Sequence, residues 1–245
     1  MLADIRPKSP IRFLLAKVAA FCAARRRFSH FLYIIFLFSI FATIFSINKG
    51  LIYQVNGFKW DNVLLNIDKN IFGMLPHNAF TWIFSSPVLA LFIEIIYQLW
   101  FWVYYFTFPM VGYYLAFTRV SKIYLLASIL TWFVGGNIIA VLFSSAGPIF
   151  IDIHGMGEYN YHFYKMSSAI PHLGSFSVSV KEGLMETFEI LQMSSISAFP
   201  SMHVGSTVLI LMLCREVGGK VYLLSILFFI LIFFGSFILL WHYFI

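Results

Sequence analysis

Charged side chains are scarce in this chain: Asp, Glu, Lys and Arg make up 11% of it, against 61% hydrophobic and 20% aromatic residues. That balance excludes an ordinary water-soluble domain, in which about a quarter of the residues are charged. Cysteine is almost absent. Cys22 and Cys214 are too few for a disulfide framework and lack metal-ligand spacing, so both read as structural thiols. No stretch alternates at the period of membrane-barrel strands. The chain also shows no internal repeat and no pair of interrupted apolar segments, which weakens a transporter reading.

Long apolar runs are abundant. Residues 28–47, 88–118, 123–143 and 221–241 approach or exceed the roughly 20 residues that cross a bilayer as a helix, and 201–217 forms a shorter run. The prediction is an all-α integral membrane bundle with five transmembrane helices. The run 88–118 is longer than a membrane is thick, so it is expected to tilt, protrude or kink at Pro109. Gly218-Gly219 separates the last two runs.

Basic residues set the expected orientation. Arg6, Lys8, Arg12, Lys17, Arg25, Arg26 and Arg27 precede the first run, and Arg119, Lys122, Arg215 and Lys220 flank later turns on the same side. The N-terminus is therefore expected in the cytoplasm, with residues 1–27 as a basic segment and 28–245 as the membrane domain. Residues 11–21 read equally as an interfacial amphipathic helix or a plain basic tail. A cleaved signal peptide fits less well, because no clear small-x-small site follows. The net charge of +6 is a topology signal and an attraction to anionic lipid. Nucleic-acid binding would need a solvated basic face, and that reading is rejected.

Chemistry is expected on the opposite face, where residues 144–200 form the longest non-spanning stretch. It opens with Gly147-Pro148 and closes with Phe199-Pro200-Ser201-Met202-His203. With Pro200 in the first turn of a helix, the free N–H groups of Ser201, Met202 and His203 would form an anion site. His203 can lend a proton to a departing alkoxide, and His242, in Trp241-His242-Tyr243 at the same membrane face, can attack phosphorus. Either histidine alone is more often a hydrogen-bonded anchor at a helix end. The pair, each in its own motif at the end of a different run, points to phosphoryl chemistry on a lipid.

At these residues the sequence resembles the type 2 phosphatidic acid phosphatase superfamily, and more closely its branch of aureobasidin-sensitive inositol phosphorylceramide synthases and bacterial relatives. Trp60-Asp61 with Asp68 and Ile71-Phe72-Gly73 is similar to that branch's segment ahead of the second span. Ala146-Gly147-Pro148-Ile149-Phe150-Ile151-Asp152 is similar to its first motif, Ser197-Ala198-Phe199-Pro200-Ser201-Met202-His203 to its second, and Phe234-Gly235-Ser236 through Trp241-His242-Tyr243 to its third. The resemblance implies a six-span fold and a phosphohistidine mechanism. His242 would be the nucleophile and His203 the acid, with Ser201 and Met202 binding phosphate and Gly147, Pro148 and Asp152 as further site-lining residues. Transfer of this kind rests on positioning and charge neutralisation, so no cofactor and no metal is expected.

The departures carry information too. The family's aspartate four residues after the nucleophile would fall one position past Ile245, and its sixth span would follow, so the chain reads as cut before both; Asp152 is the less favoured substitute. A histidine without its orienting carboxylate can lose orders of magnitude in rate. Gly147 and Ser236 stand in slots where the superfamily's phosphatases place arginines, which favours a phosphodiester donor. His154, His162, His172, Lys165 and Lys181 read as solvated loop residues.

Other positions read more plainly. Glu94 is an ionisable group inside an apolar run and so a functional candidate, or else a group that reaches headgroups or water. Gly135-Gly136-Asn137 suits close helix packing. Tyr97, Trp100, Trp102, Tyr104, Tyr105, Tyr113 and Tyr114 read as lipid-facing and interfacial, with a shaped lipid cleft as the alternative. Glu182, Glu186 and Glu189 share a helical face expected to be solvated.

The expected function is a membrane lipid phosphotransferase or phosphatase at the periplasmic, extracellular or lumenal face. Its substrate would be a membrane phospholipid or sphingolipid, with transfer of phosphoinositol or a similar headgroup to a lipid alcohol favoured. A simple lipid phosphate phosphatase and an inactive lipid-binding protein are the alternatives.

Overall fold

The computed structural model describes residues 9–150, 166–169, 175–191 and 196–245, the side chains of residues 10 and 188–191 aside. Asp152, His154, His162, Lys165 and His172 lie outside them. The regular structure among the described residues is all helical, without strands. The helices are α1 (Pro10–Gly50), α2 (Ile52–Asn56), α3 (Asp61–Phe72), α4 (Pro87–Tyr114), α5 (Arg119–Leu142), α6 (Phe176–Leu191), α7 (Met202–Val217) and α8 (Gly219–Ile238). A 3₁₀ segment, Pro76–Ser85, joins α3 to α4.

Local chemistry marks the ends. Pro10 and Pro87 open α1 and α4, where a missing N–H costs nothing. Thr118 caps α5 by accepting from Ser121 N. Gly73 closes α3 at φ 69°, and Gly218 and Gly219, at 76° and 59°, make the tight turn between α7 and α8. Inside α5, Thr131–Ile139 widens to π-helical turns. The basic segment is continuous with the first run: α1 is one helix of 41 residues whose exposed early turns carry Arg12, Lys17, Arg25, Arg26 and Arg27.

The bundle is apolar outside as well as in. Phe36, Ile40, Trp102, Phe106, Leu223 and Leu224 are all exposed, a surface that suits lipid and not water. Four helices, α1, α4, α5 and α8, are long and apolar enough to cross a membrane, so the protein is multi-pass. The fifth expected crossing is α7, which has 16 residues and packs against α4, α5 and α8. Pro109 sits within α4, which continues as one helix of 28 residues.

At one end of the bundle α3 lies with Asp61, Leu64, Leu65 and Asp68 on its buried face, while Val63, Ile67 and Ile71 stay exposed. The turn after α5 and the segment after α8 meet there. Phe150, Ile149, Leu239 and Leu240 are essentially inaccessible, so the core extends to the place where the three motif segments converge.

Candidate active site

Backbone hydrogen bonds lace the three motif segments together. Ala198 N donates to Ser145 O at 3.0 Å, Ile149 N to Leu240 O at 2.8 Å, and His242 N to Ser236 O at 3.0 Å. Asp61 fastens the assembly by accepting from Ala146 N and Gly147 N, both at 2.9 Å, and from the Tyr243 hydroxyl at 2.6 Å. Asp68 accepts from Phe244 N at 2.8 Å and Ile245 N at 3.3 Å. Burial raises the Asp68 carboxyl above its ordinary range, and the two amides oppose that shift.

The two histidines come together at the head of this assembly. His242 Nδ1 lies 2.6 Å from Ala198 O, and because a carbonyl only accepts, Nδ1 carries the proton and Nε2 keeps a lone pair. That Nε2 is 3.4 Å from His203 Nδ1, which therefore donates to it. Burial pushes the His242 imidazole down to about 4; the Ala198 bond opposes this and the charge of Lys49 adds to it. His242 is thus a neutral imidazole with its basic nitrogen facing His203. Among the described residues, the group that orients it is a carbonyl of the second motif.

His203 stands in the first turn of α7, stacked on Tyr97 at 4.7 Å and tilted against Trp100 at 4.1 Å between ring centroids. Trp100 is itself fixed by donating to Ser206 Oγ at 2.9 Å. The helix begins at Met202, with Ser201 as its cap accepting from Val204 N at 3.4 Å, so Pro200 lies just ahead of the helix and not within its first turn. The first intrahelical bond runs from Gly205 N to Ser201 O, which leaves the amides of Met202 and His203 free to meet an anion.

Both rings open into a cavity of about 760 Å³ between α1, α4, α5 and α7. Met202, Ala146 and Phe150 line it together with Tyr97, Trp100 and Tyr104. These three aromatics are nearly inaccessible, whereas Trp102, Tyr105 and Tyr114 are exposed. Within the aromatic series of α4, Tyr97, Trp100 and Tyr104 thus form a buried cleft wall, Trp102 and Tyr105 border the same cavity while remaining exposed, and Tyr114 is exposed without lining it. Gly147, at φ 100°, is wedged so that a Cβ would fall 2.7 Å from Ala198 Cβ and 2.8 Å from Trp241 O. Gly147 and Pro148 are buried, and no larger side chain fits the Gly147 slot.

Glu94 reaches neither headgroups nor water. It is buried and accepts from the Ser175 hydroxyl, from Ser177 N at 3.1 Å and from Ser177 Oγ at 3.2 Å. Ser177 Oγ in turn accepts from Trp241 Nε1 at 3.2 Å. Among the described residues no group of three His, Cys, Asp or Glu is placed to hold a metal ion.

Sequence reasoning placed the histidine pair but assigned no role to Asp61, Ala198 or Lys49. An acidic residue directly after Trp60 was the visible signal for the first; a backbone carbonyl and a helix-end lysine leave none. No curated protein and no solved structure matches the chain. The family described as the PAP2 superfamily does match, over residues 62–245, and that stretch holds the whole motif assembly except Asp61. With both histidines paired where the three motif segments meet, and with most of its length inside that match, the chain belongs to the PAP2 superfamily.

Proposed function

We propose that the protein transfers or hydrolyses a phosphorylated headgroup of a membrane lipid through a phosphohistidine. The observation that carries this reading is His242 Nε2 with its lone pair 3.4 Å from His203 Nδ1. A phosphate entering from the cavity parts the two rings. His242 Nε2 then forms the N–P bond while the P–O bond to the leaving alcohol breaks, and the proton on His203 goes to the departing oxygen. In the second half an acceptor hydroxyl attacks phosphorus, its proton returns to His203 and the N–P bond breaks. The amides of Met202 and His203, with the Ser201 hydroxyl, hold the nonbridging oxygens. An anion seated between the rings favours proton uptake by the pair, which supplies the acid the first step needs.

Transfer of a headgroup such as phosphoinositol to a lipid alcohol is the favoured reaction, on the face away from the basic N-terminal segment. An aromatic cleft reaching between α1 and α4 suits a lipid chain, and the closed Gly147 slot gives the first motif no place for a cation, which disfavours a doubly charged phosphomonoester. The test is turnover of fluorescent phospholipids by the full chain in mixed micelles, with products identified. His242→Ala and His203→Ala are each expected to lose at least about a thousandfold. Turnover persisting in His242→Ala sinks the covalent mechanism. Release of free phosphate without dependence on a lipid alcohol replaces the transferase with a phosphatase.

A further inference from the structure

We propose that Lys49, in the last turn of α1, is the cation that binds the substrate phosphate beside His203 and His242, an inference that rests on the phosphoryl-transfer reading of the site. Among the described residues that line the cavity, Lys49 is the only lysine or arginine.

The fold delivers it there. Phe38, Phe41, Phe45 and Lys49 follow one another at three- and four-residue spacing, so one face of α1 lines the cavity and ends in a charge. That face is pinned at Gly136 of α5, where an added Cβ would meet the Phe45 ring at 2.5 Å and the Met202 sulfur at 3.5 Å. Phe45 is thus seated beside the second motif, and Lys49 follows one turn later, about 6 Å further along the axis.

The environment of the ammonium also favours a ligand. Lys49 is half-buried, and no carboxylate among the described residues acts on it. Its charge is instead felt at both histidine rings. A lysine that only anchored a helix end would send its ammonium to headgroups or water. Tyr97 lines the same cavity, and its buried hydroxyl has no hydrogen-bond partner among the described residues. Lys49 therefore brings a positive charge to the cavity that holds both histidines, with no carboxylate among the described residues acting on it. The first motif has no room for a cation at Gly147, so the charge comes from α1 instead.

The experiment is titration of the full chain with orthovanadate, read by the fluorescence of Trp100, Trp132 and Trp241, which line the cavity. Lys49→Met is expected to weaken binding roughly 10- to 100-fold, the range of a hydrogen bond to a charged group, while Lys49→Arg stays within about threefold. Thermal midpoints of all variants are measured alongside, and Lys49→Gln replaces the Met variant if that one is destabilised. Lys49→Met binding like wild type overturns the inference, and so does equal loss in Met and Arg variants with unchanged midpoints, because shape and not charge would then matter. If His242→Ala abolishes turnover while Lys49→Met binds normally, only the role of Lys49 falls. If the wild type binds no vanadate, both readings fall together.

Discussion

Two buried carboxylates hold the residues on either side of His242 in sequence, Asp61 through Tyr243 and Glu94 through Ser177 and Trp241, and they do so with different partners. Asp61 and Glu94 are each 3% exposed, and each accepts three hydrogen bonds. Two of the donors to Asp61 are backbone amides of the Ala146-Gly147 turn, which cannot reverse their polarity. Two of the donors to Glu94 are serine hydroxyls, which rotate freely and can accept as well as donate. Equal burial and equal bonding thus give unequal stringency: Asp61 fixes the geometry of the motif assembly, and Glu94 fastens α6, whose Phe176, Val180 and Leu184 cover part of the cavity.

The sharpest way to break this comparison is Asp61→Asn. The amides of Ala146 and Gly147 bond to different carboxylate oxygens and cannot accept, so whichever oxygen becomes an amide NH2 leaves one of them without its acceptor. The expected cost is about 3 kcal/mol of stability, with most turnover lost as the histidines drift apart. Thermal midpoint and turnover, measured together on purified protein, check this. An unchanged midpoint would mean that Asp61 is no more demanding than Glu94.

The bundle was legible because apolar runs of spanning length leave few alternatives. The histidine pair was legible because each residue sits in a short motif at a run's end. What escaped had physical reasons. The run 201–217 does form a helix, α7, but its packing among α4, α5 and α8 leaves no mark in run length or composition. Tyr97, Trp100 and Tyr104 look like their exposed neighbours until the helix is turned against α7. The carbonyl of Ala198, which orients His242, has no side-chain signature at all. Glu94 announced itself as anomalous, but only the fold shows that serines absorb its charge.

A pH titration sharpens the comparison with a smaller effect. The folded His242 titrates at about 4 against an ordinary value of 6.5. Between those values the unfolded chain binds the extra proton and the native state does not, so stability rises with pH through this window and is level above it. The window is worth about 3 kcal/mol. Wild type should therefore lose more of its thermal midpoint between pH 7 and pH 4.5 than His242→Asn does. The same excess should persist in Glu94→Gln and shrink in Asp61→Asn, where the ring is no longer held in its buried position. Equal acid sensitivity in wild type and His242→Asn would show that the imidazole is already solvated.

The smallest effect is expected from Glu94→Gln, and its smallness is the point. The glutamine oxygen can still accept from Ser177 N and Oγ, and its new N–H groups can donate to Ser175 Oγ once that hydroxyl rotates away. Ser175 Oγ already accepts from Val178 N at 3.3 Å and has a second lone pair available. All three partners keep a bond to residue 94, and only the Ser175 hydroxyl proton and one amide hydrogen must find new acceptors, so the expected cost is about 1 kcal/mol, with the Trp241 bond to Ser177 intact. Glu94→Leu removes all three acceptor contacts and should release α6, seen as faster amide exchange over residues 176–187 while exchange at the Ala146-Gly147 turn is unchanged. If Glu94→Gln proves as damaging as Asp61→Asn, the charge itself, and not the reversibility of its partners, sets how stringent each site is.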